Sequence, residues 1–243
     1  METKRSAPEK RINTNHTTTL MKINRYIDHT LLSPTATPDD IVKLCEEAIE
    51  HDFYAVCVNG CYVDLAKRVL RESNVKIASV VGFPLGASSV EAKIKEAIIA
   101  TEMGADEIDM VLNVGYLKGE WNWEAESEIK FLKKEIGKTT LKVILETCYL
   151  TDDEIIRAIE ICKKAKADFI KTSTGFGSGG ADERVVELML KHAGKMKVKA
   201  SGGIRDAETA KKYIEMGVKR LGTSSGVAIV TSKTSINKDE HTY

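Results

Sequence analysis

Glu102-Met103-Gly104-Ala105-Asp106-Glu107-Ile108 reads as the last turn of a helix running straight into a strand. The glycine stands where a left-handed residue closes a helix, just before a strand. The same pattern returns near the far end of the chain as Glu215-Met216-Gly217-Val218-Lys219-Arg220-Leu221. Two helix exits that match this closely fit a chain assembled from repeated strand–helix units.

Outward from these exits, short β-branched runs alternate with amphipathic stretches along the chain. Strands are predicted at 26–28, 55–58, 76–81, 107–110, 141–145, 169–171, 197–200 and 220–222. The helices between them have recognisable starts. Thr37-Pro38-Asp39-Asp40 places an N-cap before a first-turn proline and two acids, and Thr151-Asp152-Asp153-Glu154 is a capping box. Ser88 or Ser89 before Val90, and Asp206 before Ala207, cap in the same way. Because a helix follows each strand, the sheet is predicted to be parallel. Eight units either close into a barrel or form an open doubly wound sheet. The open sheet is usually marked by GxGxxG after its first strand, and Asp28-His29-Thr30-Leu31 is nothing like that. A single (β/α)8 barrel is predicted over 23–230. It lies between a polar extension, 1–22, expected to be disordered or a short helix, and a polar tail, 231–243.

Of the 243 residues, 42% are hydrophobic, enough for a sizeable core, and 30% are charged, enough to cover a water-facing surface. Lysine plus arginine equals aspartate plus glutamate at 36 each, so the overall charge draws the chain to neither nucleic acid nor an anionic membrane. No run approaches the roughly 18 apolar residues of a membrane span, and the first residues lack the apolar segment of a secretory leader. A cytoplasmic protein with five reduced cysteines is expected. Cys57 and Cys61 have no second pair or histidine at zinc spacing. Glutamine is absent while Lys, Glu and Ile abound, a bias that suits a protein kept hot.

In a barrel the active site gathers at the C-terminal ends of the strands. Those ends hold Asp28, Asn59, Gly82, Asp109, Glu146, Lys171, Lys199 and Ser224. Strand lysines need an explanation, because lysine is depleted from strands and rarely buried. Phe169-Ile170-Lys171-Thr172-Ser173 and Val198-Lys199-Ala200-Ser201 set one on each of two adjacent strands. Neighbouring strands lie about 4.8 Å apart, so inward side chains at matching height bring two amines within roughly 4–7 Å. Lys197 shares the parity of Lys199, and Lys142 that of Ile144 and Glu146, but both Lys197 and Lys142 are expected to reach solvent. At about 6 Å and an effective dielectric near 20, two ammonium groups repel by roughly 2.8 kcal/mol. That lowers one lysine's pKa by about two and leaves an amine able to attack a carbonyl. Asp109 would hold the other as an ammonium and relay protons with it. The residues alone do not choose between Lys171 and Lys199 as nucleophile.

Ser173-Thr174-Gly175, Ser201-Gly202-Gly203 and Gly222-Thr223-Ser224-Ser225-Gly226 have the makings of an anion cradle. Glycines let backbone N–H groups approach an anion, and serines add hydroxyl donors. The last two loops follow strands 7 and 8, where barrels often bind phosphate, so a phosphorylated substrate is expected.

Tyr26-Ile27-Asp28-His29-Thr30-Leu31-Leu32, Val80-Val81-Gly82-Phe83-Pro84-Leu85-Gly86 and Glu107-Ile108-Asp109-Met110-Val111 resemble motifs of the deoxyribose-phosphate aldolase family. So do Phe169-Ile170-Lys171-Thr172-Ser173-Thr174-Gly175-Phe176 and Val198-Lys199-Ala200-Ser201-Gly202-Gly203-Ile204-Arg205, in the same order. The resemblance covers nearly the whole chain outside the tails. It implies a class I aldolase with no metal or other cofactor. Such an enzyme cleaves 2-deoxy-D-ribose 5-phosphate reversibly to acetaldehyde and D-glyceraldehyde 3-phosphate through a lysine Schiff base. By motif match, the resemblance assigns the Schiff base to Lys171 and proton donation and acceptance to Asp109. It makes Lys199 the residue that assists proton transfer and tunes Lys171. Gly175, Gly202, Gly203, Ser224 and Ser225 fall at its phosphate positions. Asp28 and Thr174 fall where substrate hydroxyls are oriented, and Cys57 lies near the site. The implied partners are a sugar phosphate and aldehydes, not nucleic acid or membrane, in a homodimer or homotetramer. Because the last helix is short, the terminal Tyr243 is a further candidate to reach the barrel mouth.

Other readings compete. A transaldolase or keto-acid aldolase would also form a Schiff base but would release no acetaldehyde from deoxyribose 5-phosphate. A sugar-phosphate sensor on the same fold needs no imine-forming lysine. A phosphate-binding isomerase would take Glu146 as its base and leave the lysine pair unexplained.

Overall fold

All eight predicted strands form in a computed structural model that describes residues 22–231. They are β1 (Ile27–Leu31), β2 (Ala55–Val58), β3 (Lys76–Val81), β4 (Glu107–Val111), β5 (Thr140–Ile144), β6 (Phe169–Lys171), β7 (Lys197–Ser201) and β8 (Arg220–Thr223). Each pairs in parallel with the next, and β8 closes on β1. The largest boundary difference is in β1, which runs on to Leu31 because Thr30 and Leu31 pair with Cys57 and Val58 of β2. The surrounding helices are α1 (Pro38–Glu50), α2 (Val63–Val69), α3 (Val90–Glu102), α4 (Val114–Lys118) and α5 (Asn122–Ile136). They continue with α6 (Asp152–Lys164), α7 (Glu183–His192), α8 (Ala207–Met216) and α9 (Gly226–Thr231). The extension up to Met21 and the tail beyond Thr231, with Tyr243, lie outside the described residues.

The local signals act as expected. Thr37 and Asp40 form a capping box at α1, and Thr151 and Glu154 form another at α6. Of the two serines before α3 it is Ser89 that caps, and Asp206 caps α8. Gly104 and Gly217 take φ of +107° and +114°, so both repeated helix exits turn through a left-handed glycine. No helix among the described residues is long and apolar enough to cross a membrane.

Period-two alternation divides the barrel wall into an apolar outer face and an ionised inner one. In β4, Ile108 and Met110 join the core shared with the helices, while Glu107 and Asp109 join ion pairs across the interior. Branched apolar side chains usually fill such an interior; here Asp28, Glu107, Asp109, Lys142, Lys171, Lys199 and Arg220 occupy much of it. Register sets their heights. Asp109 pairs with Lys142, Lys171 with Lys199, and Lys199 with Arg220.

Candidate active site

Asp109 is the hub of the interior. Its Oδ2 accepts from the Lys171 amine at 3.0 Å and the Lys199 amine at 2.9 Å, and its Oδ1 accepts from Lys142 at 2.5 Å. Lys199 also donates to Asp28, whose other oxygen is held by Arg220. Below them Glu107 pairs with Lys142 at 2.6 Å and with Arg220 at 2.5 Å. The Arg220 guanidinium lies 3.3 Å from the centre of the Tyr54 ring. Three carboxylates, Asp28, Glu107 and Asp109, thus face three cations, Lys142, Lys199 and Arg220, and the network is neutral before Lys171 is counted.

Two expectations are corrected here. Lys142 does not reach solvent: it is fully buried and held between Asp109 and Glu107. Lys197 is exposed, as expected, with its amine 5.4 Å from the Phe169 ring centre. Mutual repulsion of two lysines is also too simple an account, because Asp109 stands between them as a shared acceptor. Burial penalises the Lys199 charge, but Asp109 and Asp28 outweigh it and push its pKa above the ordinary lysine value. Burial would raise the Asp28 carboxyl, yet Lys199, Arg220 and Lys142 hold it at about 2. Asp109 is held well below the usual carboxylate range against the same burial penalty, by Lys142, Lys199 and Lys171.

Such carboxyls stabilise the fold only while ionised. The Asp28 contribution is complete above its ordinary value of 3.8 and is lost as pH falls through about 2. Unfolding free energy in urea should therefore lose roughly 2 kcal/mol from Asp28 between about pH 4 and pH 2. Asp28→Asn should remove that share of the acid slope, and an unaltered slope would mean that Asp28 titrates normally.

Above the network lies a cavity of about 270 Å³ at the C-terminal ends of the strands. Lys171 lines it; Lys199, Asp109 and Asp28 lie beneath, at 0% exposure. Thr174, Gly175, Gly202, Gly203 and Ser224 line it together, so three loops distant in sequence meet there. Ser225 stands just beyond, its N–H bonded to Thr223 Oγ1 at 2.9 Å. Cys57 is buried in a small apolar cluster with Leu32, Ala78 and Val80, and burial raises its thiol pKa. A wider hollow of about 1060 Å³ lies on the outer surface between α7 and α8, away from this chemistry.

Each Asp28 oxygen holds a cation, Lys199 on one and Arg220 on the other, so the carboxylate anchors Lys199 from beneath the cavity. One glycine makes room for this arrangement. A β-carbon on Gly222 of β8 would come within 3.1 Å of Lys199 Cε and 2.9 Å of Ser201 Cβ. Glu107, Lys142 and Arg220 carry no motif that marks them as site residues, although Glu107 shares the parity of Asp109 two positions on. Arg205 joins them from the sequence Gly202-Gly203-Ile204-Arg205, exposed at the cavity edge.

Comparison with known proteins places the chain in a family. The model of the DeoC/LacD family of aldolases matches residues 22–231. The deoxyribose-phosphate aldolase of Caldanaerobacter subterraneus subsp. tengcongensis is 54% identical over 222 residues, covering 87% of this chain and 93% of that protein. Its counterpart in Thermococcus kodakarensis is 53% identical over 221 residues, covering 86% and 96%. The solved structure of a tetrameric deoxyribose phosphate aldolase from Aeropyrum pernix is similar at a TM-score of 0.82. It has 33% identity over 88% of this chain and 92% of that one. On a match spanning every described residue, and on relatives more than half identical along most of their length, the chain belongs to the DeoC/LacD aldolase family.

Proposed function

We propose that this chain is a deoxyribose-phosphate aldolase whose Lys171 forms the Schiff base in reversible cleavage of 2-deoxy-D-ribose 5-phosphate. The observation that carries the choice of lysine is access. Lys171 lines the cavity with one shared carboxylate beside it, whereas Lys199 is sealed beneath with two.

The Lys171 amine adds to the C1 aldehyde of the open-chain sugar, and loss of water gives an iminium. That cation draws the C2–C3 bonding electrons as the C3 hydroxyl proton leaves, releasing D-glyceraldehyde 3-phosphate and an enamine. Asp109 is a weak base while three cations surround it. As the iminium charge collapses, one of those cations disappears and the carboxylate gains basicity, so it takes the proton in step with bond breaking. Lys199 shares that proton across 2.9 Å, and Asp28 keeps Lys199 in place. The proton returns to C2 of the enamine, and water hydrolyses the resulting iminium to acetaldehyde and free Lys171. The N–H groups around Gly175, Gly202 and Gly203, with Ser224 and Ser225, cradle the phosphate, and Thr174 faces the sugar. We assign catalysis to residues 23–230, in a cytoplasmic homodimer or homotetramer.

Incubation with acetaldehyde and sodium borohydride, followed by peptide mass spectrometry, should give an ethyl adduct on Lys171. An adduct on Lys199 would reverse the lysine roles. No adduct on folded protein would return the sensor and isomerase readings to the front.

A further inference from the structure

Glu146 is a buried acid at the end of β5 that makes none of the network's ion pairs; burial raises its carboxyl, and the Lys171 charge partly offsets that. Its backbone is left-handed, at φ 53° and ψ 62°, a conformation that non-glycine residues keep only where their surroundings enforce it. One carboxylate oxygen accepts from the Thr174 N–H at 3.2 Å, and the other accepts from the Thr174 hydroxyl. Thr174 Oγ1 in turn accepts the Phe176 N–H at 3.0 Å. Gly177 packs closely against this chain of contacts: a β-carbon there would lie 2.8 Å from Cys148 Sγ and 3.3 Å from Glu146 Oε1.

Thr174, Gly175 and Phe176 line the Lys171 cavity, and Glu146 does not. They belong to a connection between β6 and α7, residues 172–182, that carries no helix or strand to hold it. Its far end is tied by the Ala181 N–H to the Gly202 carbonyl at 3.0 Å. Its near end is tied by Glu146. From this we propose that Glu146 is a positioning residue. It clasps the β6 connection through Thr174 and so sets the fit of the phosphorylated substrate without touching it. The proposal rests on the aldolase reading and gives Glu146 a task other than that of an isomerase base.

The test is steady-state kinetics with 2-deoxyribose 5-phosphate on Glu146→Gln, Thr174→Val, the double variant and Thr174→Ser. Loss of a hydrogen bond to a buried carboxylate should raise KM about tenfold in Glu146→Gln, with kcat within about threefold of the parent. Thr174→Ser, which keeps the hydroxyl that Glu146 accepts, should raise KM less than Thr174→Val does. The double variant should be no worse than the poorer single, because both changes break one contact. Losses that multiply in the double variant would overturn the clasp, as would a collapse of kcat at unchanged KM. If Glu146→Gln does not fold, Glu146→Asp, which keeps the charge but shortens the reach to Thr174, should show the same rise in KM at a kcat near the parent's. Borohydride trapping with acetaldehyde, which has no phosphate, separates the two levels. A Lys171 adduct in the parent with an unshifted KM in the variants removes the clasp alone. A parent that gives no adduct removes the aldolase reading.

Discussion

Lys171→Ala should abolish acetaldehyde release from 2-deoxyribose 5-phosphate, a fall in kcat of roughly 10⁴-fold or more, in a protein that still folds. Alanine removes the electron sink, and no neighbouring amine replaces it. Lys199 and Lys142 are fully buried and held by carboxylates. The fold should survive because the interior charges balance as three and three without Lys171, and because its side chain borders a cavity that is already open. Circular dichroism should give a melting temperature within a few degrees of the parent. Turnover above about a hundredth of the parent rate would refute the Schiff-base assignment.

Asp109→Asn should damage the protein in both respects. It leaves Lys142, Lys171 and Lys199 without the carboxylate they share, and uncompensated buried charge costs about 3–5 kcal/mol. The urea midpoint should fall accordingly. Loss of the group that takes and returns the proton should lower kcat by roughly 10²–10⁴-fold. The contrast with Lys171→Ala is informative, since one variant loses chemistry alone and the other loses chemistry and stability together. An Asp109→Asn protein as stable as the parent would mean that the three amines find other partners, and the hub would lose its meaning.

The fold was legible because its signals are local. Capping boxes at Thr37 and Thr151 and left-handed glycines at Gly104 and Gly217 each mark a boundary within a few residues of sequence. The lysine pair and the three loops were legible because strand order in a parallel barrel places successive strand ends side by side. The lower half of the network was not. Lys142 reads as a solvent-reaching strand lysine until Asp109 and Glu107 are known to face it from β4. Arg220 opens a strand and looks peripheral, yet β8 closing on β1 brings it to Asp28, 192 residues away in sequence. Parity shows which residues point inward, but only barrel closure and register decide which charges meet.

The sealing of the network has a consequence for ionic strength. Mobile ions screen exposed charges over about 8 Å at physiological salt, and buried pairs far less. Asp28, Asp109, Lys142 and Lys199 are all at 0% exposure, whereas Gly203, Arg205 and Ser224 at the cavity edge lie open to solvent. Added salt therefore reaches the edge that would grip a dianion and leaves the amine chemistry below it untouched. Screening separates the two halves of the site, raising KM while kcat holds.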